Sequence, residues 1–306
     1  MKLEPSKVRR VLCALDVERP SSSSLSLASL MAERFYASVD ALYATPGVPK
    51  FDHCAARVKR LIKEHNAQDR MTGMLAAVKR RVCVSSFVTR GDATAVILAH
   101  SQRQSSDLIV MASAPHRHFA GVLSTIEAVT AQASCAVLSV GDAFEPAPLR
   151  RILLPVGLGG LEAHTLSWVS ALASRFDAEV GVLRIGQARS GLRKLFSATP
   201  ELGLCSGIEF ADVLAALSRQ GIETSEVEHP GGGDSSAVGD LCGSGRFDAV
   251  VVGLTAVGKS KDSDSWVSSV RLKTSAPVLS VRAVRSRALF ASSHLEPVSK
   301  AVAGAA

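Results

Sequence analysis

The sequence has few aromatic residues and no long uninterrupted apolar run. Phe, Trp and Tyr make up 5% of its 306 residues. No apolar run approaches the roughly 20 residues that a membrane-spanning helix needs. Near the amino terminus, the run VLCAL is too short for a secretory signal and continues directly into Asp16. These absences predict a cytoplasmic protein with no membrane span.

Metal-binding and catalytic motifs are also missing. The six cysteines show neither CxxC nor metal-ligand spacing, and three of them lie in apolar, strand-like runs (Cys13, Cys83 and Cys135). A thiol in such a run behaves as a small hydrophobic side chain. No Ser-His-Asp, Cys-His or paired-carboxylate arrangement stands at a predicted strand end. We therefore predict no metal site and a protein that is not an enzyme.

The positive charge of the chain comes without an obvious nucleic-acid recognition motif. The net charge is +7, and one part of the first half is rich in basic residues: Arg57, Lys59, Arg60, Lys63, Lys79, Arg80 and Arg81. Such a cluster attracts nucleic acid or anionic lipid head groups. Because no aromatic pattern for base stacking accompanies it, the sequence favours a solvated basic face over nucleic-acid binding.

What the chain does contain is a repeated βαβ unit. Residues Ser106–Val140 form an apolar run, a loop, a helical segment and a second apolar run. Residues Phe247–Val281 repeat that order with a loop of the same length. Corresponding residues such as Asp107 and Asp248 are 141 positions apart (248 − 107). The pattern therefore predicts a tandem duplication with parallel sheets.

The rest of each half continues the alternation of strands and helices. Strands are predicted at Val8–Leu15 and Leu149–Val156, and amphipathic helices at Ser21–Phe35 and His164–Phe176. Each half is thus predicted as β-α-β-α-β-α-β-α-β, an α/β fold with an open, doubly wound parallel sheet of the flavodoxin-like (Rossmann-like) type. The predicted limits of the first domain, the second domain and a loosely held carboxyl-terminal tail are 1–142, 149–283 and 284–306.

The ordered landmarks of both halves resemble one family. The segments VLCALD, SLASLMAERFYASVDALYA, VTRGDATAVILAHSQRQSSDLIVMAS and SCAVLSV resemble a universal stress protein domain, and RRILLPV, LASRFDAEVGVLRI, FDAVVVG and SAPVLSV repeat the resemblance. It implies a tandem member of the universal stress protein family. It also implies that the last strands of the halves, Ala136–Val140 and Pro277–Val281, pair antiparallel and make the chain an intramolecular pseudo-dimer.

The resemblance also implies a nucleotide loop, which is incomplete in the first half. ATP-binding members carry Gly, two residues, Gly, nine residues, Gly and then Ser or Thr, with an Asp at the end of the first strand. Here Asp16 and Ser124 match, but Ala112, Pro115 and Leu123 stand where the glycines belong. A proline also removes a backbone N–H that could hold phosphate.

The second half departs from the same pattern in other positions. Gly253 and Ser265 match, but Ala256 and Asp264 replace the other two glycines, and Gly157 replaces the Asp. Asp264 would place a negative charge where phosphate should sit. ATP is therefore an alternative ligand with a degenerate loop in both halves, and no cofactor is predicted.

The candidate ligand-binding residues are Asp16, Ser113, Ser124, Gly253 and Ser265. Several have a competing structural interpretation. Ser124 and Glu127 have the spacing of a capping box, which predicts a helix cap, and Ser265 after Asp264 serves equally well as a cap. Asp16 can cap the first helix, and Gly253 can serve a tight turn.

Three functions stay open at this stage. The first, which we favour, is a non-enzymatic stress-response protein that acts through a protein partner or a small ligand. The second is an ATP-binding protein with weak hydrolysis, and the third is a basic scaffold for nucleic acid or a membrane surface. We expect any ligand to bind unequally: a neutral or polar group near Asp16, His116 and His118, and a small anion near Gly157 and Gly253, where Lys259 and Lys261 favour an anion.

Overall fold

The computed structural model describes residues 6–16, 22–45, 54–76, 78–113, 124–141, 144–145, 147–157, 160–185, 208–229, 235–254 and 261–282. The side chains at 22, within 54–61, at 63 and within 261–265 are also outside the description. The loop with His116 and His118, the residue Lys259 and the predicted tail at 284–306 lie outside the described residues. The predicted domain limits stay a prediction.

Within the described residues, strands and helices alternate along the whole chain. The elements of the first half are β1 (Arg10–Ala14), α1 (Ser22–Phe35), β2 (Ser38–Thr45), α2 (Cys54–Leu75), β3 (Val84–Arg90), α3 (Ala93–Arg103), β4 (Leu108–Ser113), α4 (Thr125–Gln132) and β5 (Ala136–Gly141). Those of the second half are β6 (Arg151–Val156), α5 (Ala163–Phe176), β7 (Glu179–Arg184), α6 (Phe210–Ser218), β8 (Thr224–Val227), α7 (Ser235–Gly243), β9 (Ala249–Gly253), α8 (Lys261–Lys273) and β10 (Val278–Val281). The predicted β-α-β-α-β-α-β-α-β order is confirmed in both halves.

All ten strands form one sheet, in the order β3-β2-β1-β4-β5-β10-β9-β6-β7-β8. Neighbouring strands within each half are parallel, as a doubly wound α/β fold requires. At the centre, β5 and β10 pair antiparallel, with Leu279 opposite Leu138 and Val278 opposite Ser139. The predicted pairing of the two last strands is therefore confirmed, and we call this junction the seam.

The duplication is visible in the strand register and in the loops. Val11 pairs with Leu108 in the first half, and the residues 141 positions later, Ile152 and Ala249, pair in the second. The carboxylate of Asp107 accepts the backbone N–H groups of residues 9 and 10 at 2.7 and 3.1 Å. The carboxylate of Asp248 accepts those of residues 150 and 151, both at 2.9 Å. Each Asp thus joins the starts of two adjacent strands.

Aliphatic side chains fill both faces of the sheet. Helices α1 and α5 pack on the same face, and buried residues of both halves, including Leu27, Met31 and Val169, belong to one hydrophobic cluster. The cation–π contacts across this face are reciprocal: Arg34 lies over the Phe176 ring at 5.4 Å, and Arg175 lies over the Phe35 ring at 5.9 Å. Reciprocal contacts between counterpart residues are the sign of a twofold arrangement.

One element begins earlier than the sequence pattern predicts. In the second βαβ unit the sequence pattern predicts a loop over residues 254–264, but α8 already begins at Lys261. Acidic side chains are favourable in the first turn of a helix, so Asp262 and Asp264 are compatible with this earlier start. The alternative that Ser265 caps this helix is therefore wrong, because Ser265 lies inside α8.

Candidate functional site

The candidate site lies where the chain leaves the carboxyl ends of the central strands of each half. In the first half, β1 and β4 are neighbours at the point where the strand order reverses. In the second half, β6 and β9 have the same relation. Open α/β sheets bind ligands in the crevice outside such switch points.

The structure brings Asp16 and Ser113 to the same level of the sheet edge. Ala14 of β1 pairs with Met111 of β4, and the two candidates each follow two residues later. Asp16 is exposed and Ser113 is half-buried. The two predicted candidates therefore lie on neighbouring strand ends, and the loop that follows Ser113 lies outside the described residues.

The amino terminus of α4 is closed by its own side chains. Ser124 is the N-cap, and the Glu127 N–H donates to its hydroxyl at 3.4 Å. The Glu127 carboxylate in turn accepts the Ser124 N–H at 2.8 Å and the Ser124 hydroxyl at 2.9 Å. The predicted capping box is confirmed. A carboxylate thus stands at the helix end where a phosphate would bind in an open loop.

Gly253 at the end of β9 is needed for close packing. A Cβ atom at this position would lie 2.9 Å from Thr165 Oγ1 and 3.6 Å from Leu161 Cδ1. Gly253 therefore leaves no open space for a ligand beside it, because the side chain of Thr165 on α5 occupies that space. Gly157, the counterpart of Asp16, directly follows β6 and is half-buried.

Thr165 is a residue of this region that the sequence pattern did not single out. It is 1% exposed, and among the described residues its Oγ1 atom has no hydrogen-bond partner. Its counterpart in the first half is Ser24, which hydrogen-bonds the buried Cys13 thiol. The counterpart of Cys13 is Leu154, which offers no polar atom. Replacement of the thiol by leucine therefore explains why the Thr165 hydroxyl lacks a partner among the described residues. The 141-residue offset in the sequence already pairs Thr165 with Ser24 and Leu154 with Cys13.

Burial shifts the pKa of several groups, among them the thiols of Cys13, Cys135 and Cys242 and the imidazole of His164. It raises the pKa of the Cys13 thiol to about 12 and that of the Cys242 thiol to about 11. Burial also lowers the pKa of His164 in the first turn of α5. Both thiols are therefore protonated at neutral pH and unsuited to nucleophilic or metal chemistry.

A second polar cluster lies away from the strand ends, between β2 and α3. His100 Nε2 and Asp40 Oδ2 are 3.3 Å apart, and each residue is 5% exposed. The Phe87 ring contacts the His100 ring edge-on, with 4.6 Å between centroids. In the second half, Gly181 and Leu241 replace this pair, and the Phe247 ring lies where a Gly181 side chain would begin. The same place in the fold therefore holds a polar pair in the first half and apolar packing in the second half.

The described part of the chain has neither a metal-binding cluster nor a membrane-spanning helix. There, no three or more His, Cys, Asp or Glu side chains are grouped so as to hold a metal ion. No helix in that part is long and apolar enough to cross a membrane. In the predicted basic region, Lys79, Arg80 and Arg81 are exposed after α2, while the side chains of Arg57, Lys59, Arg60 and Lys63 lie outside the described residues.

Comparison with known proteins identifies the first half and the overall fold. The model of the universal stress protein family matches residues 7–141. The structure of a universal stress protein from Archaeoglobus fulgidus superposes on 92% of this chain and 98% of its own, with a TM-score of 0.64 and 14% sequence identity. A functionally unknown protein from Pseudomonas aeruginosa covers 90% of this chain and 92% of its own, with a TM-score of 0.53 and 15% identity.

These similarities agree with the strand order and register described above. At such low identity the two structures show the fold alone, whereas the family model also matches the sequence of the first half. A comparison with curated proteins finds no match. Residues 7–141 therefore match the model of the universal stress protein family, and the second half repeats the topology of this first half.

Proposed function

We propose that the protein is a non-enzymatic member of the universal stress protein family that acts through a protein partner or a small ligand and does not bind ATP tightly. The observation that carries the proposal is the carboxylate of Glu127 at the amino terminus of α4, hydrogen-bonded to Ser124 at 2.8 Å. The helix end that would attract a phosphate already has an anion of the chain itself.

The electrostatics of the first half argue against a polyphosphate. Two like unit charges about 4 Å apart repel by about 4 kcal/mol at an effective dielectric constant of about 20. A phosphate at the α4 terminus would meet this repulsion from Glu127, and Asp16 adds a second carboxylate at the neighbouring strand end. A neutral or polar group near Asp16 and Ser113 fits this edge better than a triphosphate does.

The residues of the second half do not favour tight nucleotide binding either. Gly157 stands where ATP-binding relatives have the Asp that contacts the nucleoside, and the space beside Gly253 is filled by Thr165. Helix α5 begins after Glu162, so a carboxylate also stands at this helix end and weakens its attraction for an anion. We therefore propose at most weak binding of a small anion in this half.

Calorimetry tests the absence of a tight ATP site. At a protein concentration of about 100 μM, titration with Mg-ATP is expected to give little heat, with a Kd of about 1 mM or weaker. Glutamine at position 127 keeps the capping box but removes the charge, so Glu127→Gln is expected to strengthen ATP binding severalfold. Glu145→Gln removes the same charge from an exposed position and is expected to change nothing. A micromolar Kd in the unmodified chain that Asp16→Ala abolishes would contradict the proposal.

The ligand-binding role is tested separately. Native mass spectrometry of the chain purified from cells is expected to show a retained small molecule or an associated protein. Asp16→Asn should reduce a retained molecule that binds at the first-half edge, while Asp177→Asn, an exposed change on the loop after α5, should leave it in place. Retention of ATP itself would favour the nucleotide-binding alternative.

A further inference from the structure

The seam contains a buried arginine whose hydrogen bonds reach both halves. Arg271 of α8 is 8% exposed. Its Nε donates to Ser139 Oγ of β5 at 3.1 Å, and its Nη2 donates to Thr130 Oγ1 of α4 at 2.9 Å and to Ser280 Oγ of β10 at 2.8 Å. One guanidinium thus connects two helices and two strands around the antiparallel junction.

The sequence offset shows where these residues stand in the pseudo-twofold arrangement. Arg271 and Thr130 are counterparts (271 − 130 = 141), and so are Ser280 and Ser139 (280 − 139 = 141). In a twofold interface, a residue that contacts its own counterpart lies at the axis. The axis therefore passes between Arg271 and Thr130, and two unlike residues meet there. The cation–π contacts between α1 and α5, in contrast, are the same in both directions.

A second residue adds to this asymmetry. Arg282 directly follows β10, and its Nη2 donates to the Thr130 carbonyl at 3.4 Å. Its counterpart is Gly141, the last residue of β5, which has no side chain to return the contact. At both positions the second half supplies a guanidinium and the first half supplies a small residue. The first-half surface of the seam is therefore complementary to the second-half surface. Neither surface is complementary to a second copy of itself.

This complementarity decides which pairings the seam can accept. Two second halves paired through β10 would bring two Arg271 guanidinium groups together at a buried axis, and burying like charges against each other is costly. Two first halves paired through β5 would place Thr130 opposite Thr130 at the axis, and this pairing would lack the charge-assisted hydrogen bonds. We propose that Arg271 makes the α8 and β10 surface specific for the first half of the chain and excludes pairing with a second copy of itself. This inference goes beyond the proposed function and does not depend on any ligand.

A residue swap in the full chain tests the position of the axis. Arg271→Thr is expected to lower Tm by about 3–10 °C because three charge-assisted hydrogen bonds are lost. Thr130→Arg should lower it at least as much because two guanidinium groups then meet. The double variant Thr130→Arg/Arg271→Thr is expected to recover to within about 2 °C of the unmodified chain. In this double variant the guanidinium lies on α4 instead of α8. Because Ser139 and Ser280 are counterparts, it is again within reach of both serine hydroxyls and of a threonine hydroxyl across the axis.

Controls separate the pairing effect from the addition of charge. Gln132→Arg adds a guanidinium to an exposed position of α4 and is expected to leave Tm unchanged. If Thr130→Arg does not fold, Arg271→Thr and the double variant still decide the question. A double variant that loses the sum of both single losses, or an Arg271→Thr variant with unchanged Tm, overturns the assignment.

Disulfide trapping tests the specificity directly. Leu279 faces Leu138 in the seam, so Leu279→Cys finds a matching thiol only when two second halves pair with each other. Directly opposed residues of antiparallel strands have the Cα separation that a disulfide needs. After refolding and oxidation, Leu279→Cys/Arg271→Thr is expected to give severalfold more disulfide-linked chain dimer than Leu279→Cys alone. Arg271→Thr without the added cysteine is the control for the native thiols. Equal dimer yields with and without Arg271 overturn the proposal.

Discussion

Replacement of His100 by leucine is expected to lower the free energy of unfolding by about 2–5 kcal/mol. The substitution removes the group that lies 3.3 Å from the Asp40 carboxylate at a site where both residues are 5% exposed. A carboxylate that stays buried after loss of this partner bears the full cost of desolvation. Denaturant unfolding followed by circular dichroism measures the change.

The second half of the chain supplies the control for this experiment. Its counterparts of Asp40 and His100 are Gly181 and Leu241, which pack without a polar pair. The double variant Asp40→Ala/His100→Leu is therefore expected to be more stable than His100→Leu alone, because no buried carboxylate is left. A double variant that is as unstable as the sum of the two single variants would show that the pair is not coupled.

Gly181→Ala is expected to destabilise the second half by about 1–3 kcal/mol through overpacking. A Cβ atom at Gly181 would lie 2.5 Å from Cε1 and Cζ of the Phe247 ring and 2.8 Å from Cγ2 of Val227. All three atoms belong to buried residues, so they have little space into which they can move. Thermal unfolding of the full chain measures the loss.

Gly243 is the matched control, and its replacement by alanine is expected to change the stability in the opposite direction. Gly243 is the last residue of α7, and a Cβ atom there would meet no heavy atom within 4 Å. Gly243→Ala is therefore expected to leave stability unchanged or raise it by up to about 1 kcal/mol, because alanine has the higher helix propensity. Equal losses from both substitutions would mean that the contact with Phe247 is not the cause.

The internal repeat made much of the fold predictable from one sequence. The 141-residue offset located the corresponding strands, and the antiparallel pairing of β5 with β10 followed from the resemblance to the family. The capping box of Ser124 and Glu127 was also readable, because its side chains and backbone atoms are only three residues apart. Local spacing and a repeated pattern are the kinds of information that a single sequence contains.

A helix start made of polar residues and the contacts between distant elements were not predicted. The start of α8 at Lys261 was missed because polar residues in a helical first turn look like loop in a hydrophobicity pattern. The pairing of Asp40 with His100 joins β2 to α3 across 60 positions and leaves no local signal. The same holds for Arg271, whose role is visible only once α4, α8 and both seam strands are in place.

The central seam has a consequence for the order of events during synthesis. Strand β5 ends at Gly141, but its antiparallel partner β10 ends only at Val281. At about 5–20 residues per second, the first half leaves the ribosome roughly 7–30 s before its partner strand exists. For that interval β5 is an edge strand with unpaired backbone groups, which is the feature that promotes association between nascent chains. Neighbouring chains on one polysome are therefore most exposed to mispairing at this strand.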